Sequence, residues 1–203
     1  MPFAYFLVKL LHDHVIAVVS HCALCELWRE IFVAGMIRNF RNIEPKIHQT
    51  AFIADNATVI GDVEIGEDAS IWFGSVIRGD VNYIRIGART NIQDLTVIHI
   101  TSKTHPTILE DEITVGHQAT LHGCYVEQGC LIGIGAILLD GVRIGENSLV
   151  AAGSLLPPGT QIPARSLVMG TPARVKRALN NDEIRNLASS WQNYVELSKV
   201  YKT

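Results

Sequence analysis

Three histidines, His99, His117 and His122, fall within one 24-residue stretch, in the segments VIHIT and TVGHQATLHGC. Imidazole nitrogens ligate borderline divalent ions, and three protein nitrogens with an open fourth position make the catalytic type of zinc site. A water in that open position has its pKa lowered to about 7, so hydroxide is available at neutral pH. Whether the three can meet depends on the elements that carry them. His12, His14, His21, His48 and His105 read as ordinary surface or hydrogen-bonded residues. Cys22 and Cys25 form a CxxC beside His21, but without the second pair or βαβ pattern that would give it a metal or redox role.

The carrier is a repeat. From Ile53 an aliphatic residue recurs every six positions through Val59, Ile65, Ile71 and Ile77. It resumes at Ile86, Ile92 and Ile98, again at Leu109, Val115 and Leu121, and again from Val126 to Val150. A second column of mostly small or β-branched residues follows four positions later, from Ala57 to Ser154, with Ile113 and Tyr125 as exceptions. A period of six suits neither an amphipathic helix nor a half-buried strand. It suits a coil of short strands with a turn every six residues, three sides to a turn. The sixteen units from Ile53 to Val150 predict about five coils stacked about 4.8 Å apart. The repeat fades after Leu156 into a Pro- and Gly-containing run. A helix is expected over about Asn181 to Lys202, with Asn180 and Glu183 as a capping box. Its apolar face is Ile184, Leu187, Ala188, Trp191, Val195 and Leu197.

The repeat assigns each residue a side. Every third unit returns to the same side one coil up, so Ile77, Ile98 and Leu121 align. Arg78, His99 and His122 each follow one position later and should stack. Asp94 and His117 stack in the same way, two positions after Ile92 and Val115. His99 and His122 can therefore share an ion, whereas His117 sits elsewhere on the coil. It could complete a neighbour's site around a three-fold axis.

The rest of the chain sets bounds. Net charge is -3 and no basic stretch is present, so nucleic acid is not an expected partner. No apolar run reaches the roughly 18 residues of a spanning helix, so no membrane role is expected. Four cysteines among 203 residues make no disulfide framework, and reduced thiols point to a cytoplasmic setting. The division expected is an extension over residues 1–35, which Met36 divides from the rest as a normal-looking start, a repeat domain over 36–175 and a C-terminal helix region over 176–203.

The segments IRGDVNYIRIGARTNIQD, VIHIT and TVGHQATLHGC resemble the γ-class carbonic anhydrases and their bacterial hexapeptide-repeat relatives, from about Met36 to the C-terminus. The resemblance implies an all-β fold, a left-handed parallel β-helix with a C-terminal α-helix, assembled as a homotrimer. It implies Zn2+ held by His99 and His122 of one chain and His117 of the next, with Fe2+ or Co2+ able to substitute. Arg78 and Asp80 match an inter-subunit ion pair. Gln93 and Asp94 match residues that line the site, Gln93 orienting the metal-bound water. The implied substrate pair is CO2 and bicarbonate.

Two departures bear on the reaction. Val81 stands where the archetypal enzyme has a glutamate, and the loop TSKTHPTI lacks the acidic proton shuttle. Hydration of CO2 needs a nearby proton acceptor, and Tyr194 or His105 are the candidates to supply it. Two other functions compete. One is an acyl- or acetyltransferase, or a thioesterase, acting on coenzyme A esters. The other is a trimer that its metal only stabilises, because fold does not fix function.

Overall fold

The computed structural model describes residues 36–202; the expected extension and its CxxC lie outside them. The chain winds into a three-faced coil of short parallel strands. One face stacks strands beginning at Met36, Thr58, Val76, Val97, Thr120, Ile137 and Leu155. The next stacks Lys46–Ile47 through Gln161–Ile162. The third stacks Phe52–Ile53 through Ser166–Gly170. A final strand, Ala173–Ala178, turns back antiparallel on Ser166–Gly170.

Each face carries seven levels, not the five that the repeat suggested. The hexad runs on at both ends. Ile47 precedes Ile53, and Leu156, Ile162 and Val168 continue from Val150 into the interior. Pro157, Pro158 and Pro163 obscured this. They fall directly after strands or within turns, where a fixed φ costs nothing.

Of the sixteen aliphatic positions, all but Ile53 are buried at 3% exposure or less. Such side chains each contribute about 1.5–3 kcal/mol by leaving water. The small-residue column fails at Val81, Ser102 and Tyr125, which are exposed or half-buried. These are the three places where the six-residue register slips. There Ile84, Ile100, Thr107 and Cys124 fill the interior instead. The first slip is visible as a register shift of the long strand Val76–Ile86 against Thr58–Ile65.

The C-terminal helix runs Asn181–Tyr201 and opens with the capping box: Asn180 accepts from the Glu183 N–H, and Glu183 accepts from the Asn180 N–H. It packs on the third face at the Ser70–Ile71 and Asn91–Ile92 strands. Leu187 and Ser198 are buried, and Tyr194 joins Trp72 in an edge contact at 5.2 Å. Leu197, expected on the apolar face, is 43% exposed; the helical stripe runs through Tyr194 and Ser198. No helix among the described residues is long and apolar enough to cross a membrane.

Candidate metal centre

The in-register pairing of Val97–His99 with Thr120–His122 sets His122 directly over His99. His99 Nδ1 and His122 Nε2 face each other at 3.1 Å. The outer nitrogen of each ring is already engaged. Asp80 lies 3.0 Å from His99 Nε2 and Asp140 lies 2.6 Å from His122 Nδ1. A neutral imidazole has one N–H. If each ring gives it to its carboxylate, two lone pairs are left pointing at one another. That arrangement calls for a cation or a shared proton between them. Nitrogens bound at about 2.0–2.1 Å to a tetrahedral zinc stand roughly 3.3 Å apart, close to the separation found. Histidines that donate their far N–H to a carboxylate are the usual form of metal ligand. The donor set fits a divalent ion.

Both carboxyls are held as carboxylates. Burial raises the Asp80 pKa, but hydrogen bonds from His99 and Arg78 outweigh it, and the net shift is downward. Burial likewise opposes ionisation of Asp140, and hydrogen bonds from Thr101 and His122 outweigh it. Arg78 and Asp80 contact each other within the chain.

His117 occupies a different place. It sits in the turn between the third face and the first, and Asp94 lies beneath it with Oδ2 2.7 Å from Nδ1. The turn residues that follow, Leu95 and Gln118, take φ values of 60° and 57°, a left-handed backbone uncommon for such side chains. His117 and His122 thus lie at opposite edges of the first face, on the order of 15 Å apart at the usual strand rise. Among the described residues, no three His, Cys, Asp or Glu side chains of one chain gather closely enough to hold an ion. Between the two edges the first face exposes Val97 and Ile137, and Leu95 and Ile134 are exposed along the His117 corner.

Gln93 is 6% exposed, and its Nε2 donates to Asn91 Oδ1 at 3.2 Å. Asn91 in turn donates to Thr114 Oγ1 at 2.9 Å. The Gln93 side chain also lines a groove of about 340 Å³ with Leu131, Ile134 and Leu149. Burial, and then the Asp94 charge, raise the Tyr194 pKa, so its phenol stays protonated. His105 packs against Gly123 and Gly141, on the Asp140 side of His122.

Sequence reasoning missed Asp140 and Asn91, and it gave Asp80 an ion pair but no histidine. One more step of the side count sets Leu139 over His122 and Asp140 over Gly123, so counting alone does not pair Asp140 with His122.

The family model "Bacterial transferase hexapeptide (six repeats)" matches residues 44–79 and 123–158. A protein of Geobacillus kaustophilus named carbonic anhydrase is 53% identical over 82% of this chain and 91% of its own length. "Gamma carbonic anhydrase 2, mitochondrial" of Arabidopsis thaliana is 44% identical over 81% of this chain; the match spans 61% of that longer protein. The solved structure of a hexapeptide transferase family protein from Anaplasma phagocytophilum superposes with a TM-score of 0.79. It is 41% identical, covering 82% of this chain and 98% of its own.

Proposed function

The chain belongs to the hexapeptide-repeat family of γ-class carbonic anhydrase-like proteins, and on that premise we propose that it hydrates CO2 reversibly to bicarbonate at a metal centre shared between neighbouring subunits. The observation that carries this reading is the facing nitrogen pair of His99 and His122, each ring tethered to its own carboxylate. His117, tethered to Asp94 at the far edge of the same face, supplies the third ligand to the next chain in a homotrimer of left-handed β-helices. The exposed Val97, Ile137, Leu95 and Ile134 give that interface its apolar surface.

Zinc, when bound there, lowers the pKa of a water to about 7 and so supplies hydroxide for addition to CO2. The chain's own residues do the rest. Asp80, Asp94 and Asp140 fix which nitrogen each histidine offers. Asn91 holds the Gln93 amide by its nitrogen, which leaves the carbonyl to accept from a water and orient it. The apolar groove beside Gln93 suits a small nonpolar substrate. Arg78 holds Asp80 from the side away from His99. Tyr194, protonated, can donate a hydrogen bond but cannot take up the proton that hydration releases. With no carboxylate in the Ser102–Thr104 turn, that proton leaves to buffer. Free, buried Cys124 and Cys130 support a cytoplasmic setting.

Stopped-flow CO2 hydration on the zinc-loaded protein, and on the iron form kept anaerobic, tests the reading. Turnover above the uncatalysed rate that climbs with imidazole buffer concentration is the expected result. Both forms matching the uncatalysed rate would overturn it. The competing reading, a transferase acting on coenzyme A esters, would carry no stoichiometric zinc.

A further inference from the structure

We propose that Thr101 and Asp140 form a positioning pair that fixes the tautomer and ring orientation of His122; the proposal rests on reading His122 as a metal ligand. Both oxygens of the Asp140 carboxylate are engaged. Oδ1 faces His122 Nδ1 at 2.6 Å, and Oδ2 accepts the Thr101 hydroxyl at 2.7 Å. With two anchors the carboxylate plane cannot swing, so the His122 N–H has one direction in which to point.

Thr101 is itself held from three sides. Its N–H donates to the His105 carbonyl at 3.0 Å, and the His105 N–H returns to its carbonyl at 3.4 Å. The same carbonyl accepts from Asn82 Nδ2 at 3.0 Å. The Thr101–His105 bridge closes the short turn that stands where the archetypal enzyme carries its acidic loop. Here the turn serves to hold Asp140.

Gly123 completes the device. It follows His122 directly at a φ of +59°, and a Cβ there would come within 2.4 Å of Asp140 Oδ1. The glycine of the LHG segment is therefore what lets Asp140 reach His122. Carboxylate partners of this kind raise ligand basicity, and their loss lowers metal affinity about 10–100-fold.

The test uses the full-length protein and two readouts. Zinc affinity, measured by competition with a chelator, should fall about 10–100-fold in Asp140→Asn. It should fall less in Thr101→Val and recover in Thr101→Ser. The second readout needs no metal. Long-range 1H–15N spectra of the apo protein should show the His122 proton fixed on Nδ1, the nitrogen that faces Asp140 Oδ1 at 2.6 Å. In Asp140→Asn and Thr101→Val the proton should average over both ring nitrogens, and the His99 signals should shift with it because His99 Nδ1 faces His122 Nε2 at 3.1 Å, while the His117 signals stay put. Wild-type tautomer and wild-type affinity in both variants would overturn the proposal. A wild-type protein that binds no zinc yet shows the fixed His122 tautomer would overturn the proposed function and leave the positioning pair standing.

Discussion

Replacing His117 with alanine separates metal binding from folding. The side chain is 41% exposed and pairs with Asp94 at 2.7 Å. An exposed pair of this kind contributes about 0–1 kcal/mol. For a chain of 203 residues, each kcal/mol moves Tm by about 2–4 °C. The apo variant should therefore melt within about 4 °C of the wild type. Zinc changes the comparison. At free zinc 1,000-fold above Kd, a ligand that binds only the folded state stabilises it by about 4.1 kcal/mol, or roughly 8–16 °C. If loss of the third nitrogen weakens binding about 1,000-fold, the same free zinc leaves RT ln 2. That is about 0.4 kcal/mol, or roughly 1–2 °C. The assay is differential scanning calorimetry at fixed protomer concentration, with zinc set by a chelator buffer. A His117→Ala protein that keeps the full zinc increment would refute the ligand assignment. An apo variant destabilised by more than about 3 kcal/mol would show that His117 supports the fold in a way its exposure does not suggest.

Other outcomes follow from the same structure. Ile98 is fully buried in register between Ile77 and Leu121. Ile98→Ala should cost about 2–5 kcal/mol, read as a lower urea midpoint at unchanged m; a cost below about 1 kcal/mol would contradict a close-packed interior. The hydrogen bond from Arg177, then that from the Asn180 N–H, lower the Glu183 pKa from 4.5 to about 2. A depressed carboxyl stabilises the fold above its unfolded pKa and loses that contribution as pH falls through the folded one. The start of the C-terminal helix should fray between pH 4.5 and about 2, seen by following the Glu183 and Asn180 amides by NMR; a Glu183 that titrates near 4.5 would deny the capping box its role. Burial pushes the Cys124 and Cys130 thiols up to about 12. Their peptides should resist iodoacetamide at pH 8 until denaturant is added, and rapid native labelling seen by mass spectrometry would contradict the buried positions.

Much of this architecture was legible in the sequence because the hexad is a strong signal. A buried aliphatic every six residues leaves few folds open, and it places His99 beside His122 by counting alone. The count failed where local chemistry broke the period. Val81, Ser102 and Tyr125 fall four positions after an aliphatic residue, yet each lies where the chain leaves the regular coil. Prolines hid the last coil, since Pro157 and Pro163 occupy turn positions that carry no hydropathy signal. The carboxylate partners were harder still. Asp140 meets His122 only because Gly123 has no side chain, a steric fact that no spacing rule conveys. Asn91 reads as a polar strand residue until its bond to Gln93 is seen. Hydropathy alone puts Leu197 on the buried face of the helix, but the coil's aromatic cluster of Phe52, Trp72 and Phe73 draws Tyr194 and Tyr201 instead.

In the proposed function one chain's His99 and His122 complete their site with a neighbour's His117. Co-refolding His117→Ala chains with His122→Ala chains tests it most directly. Neither variant alone can build a site. In randomly mixed cyclic trimers, about one interface in four sets an intact His99–His122 edge against an intact His117 edge. The mixture should recover about a quarter of the wild-type zinc content and CO2 hydration rate per chain. A mixture that stays as empty and inactive as its parents would contradict a site shared between subunits.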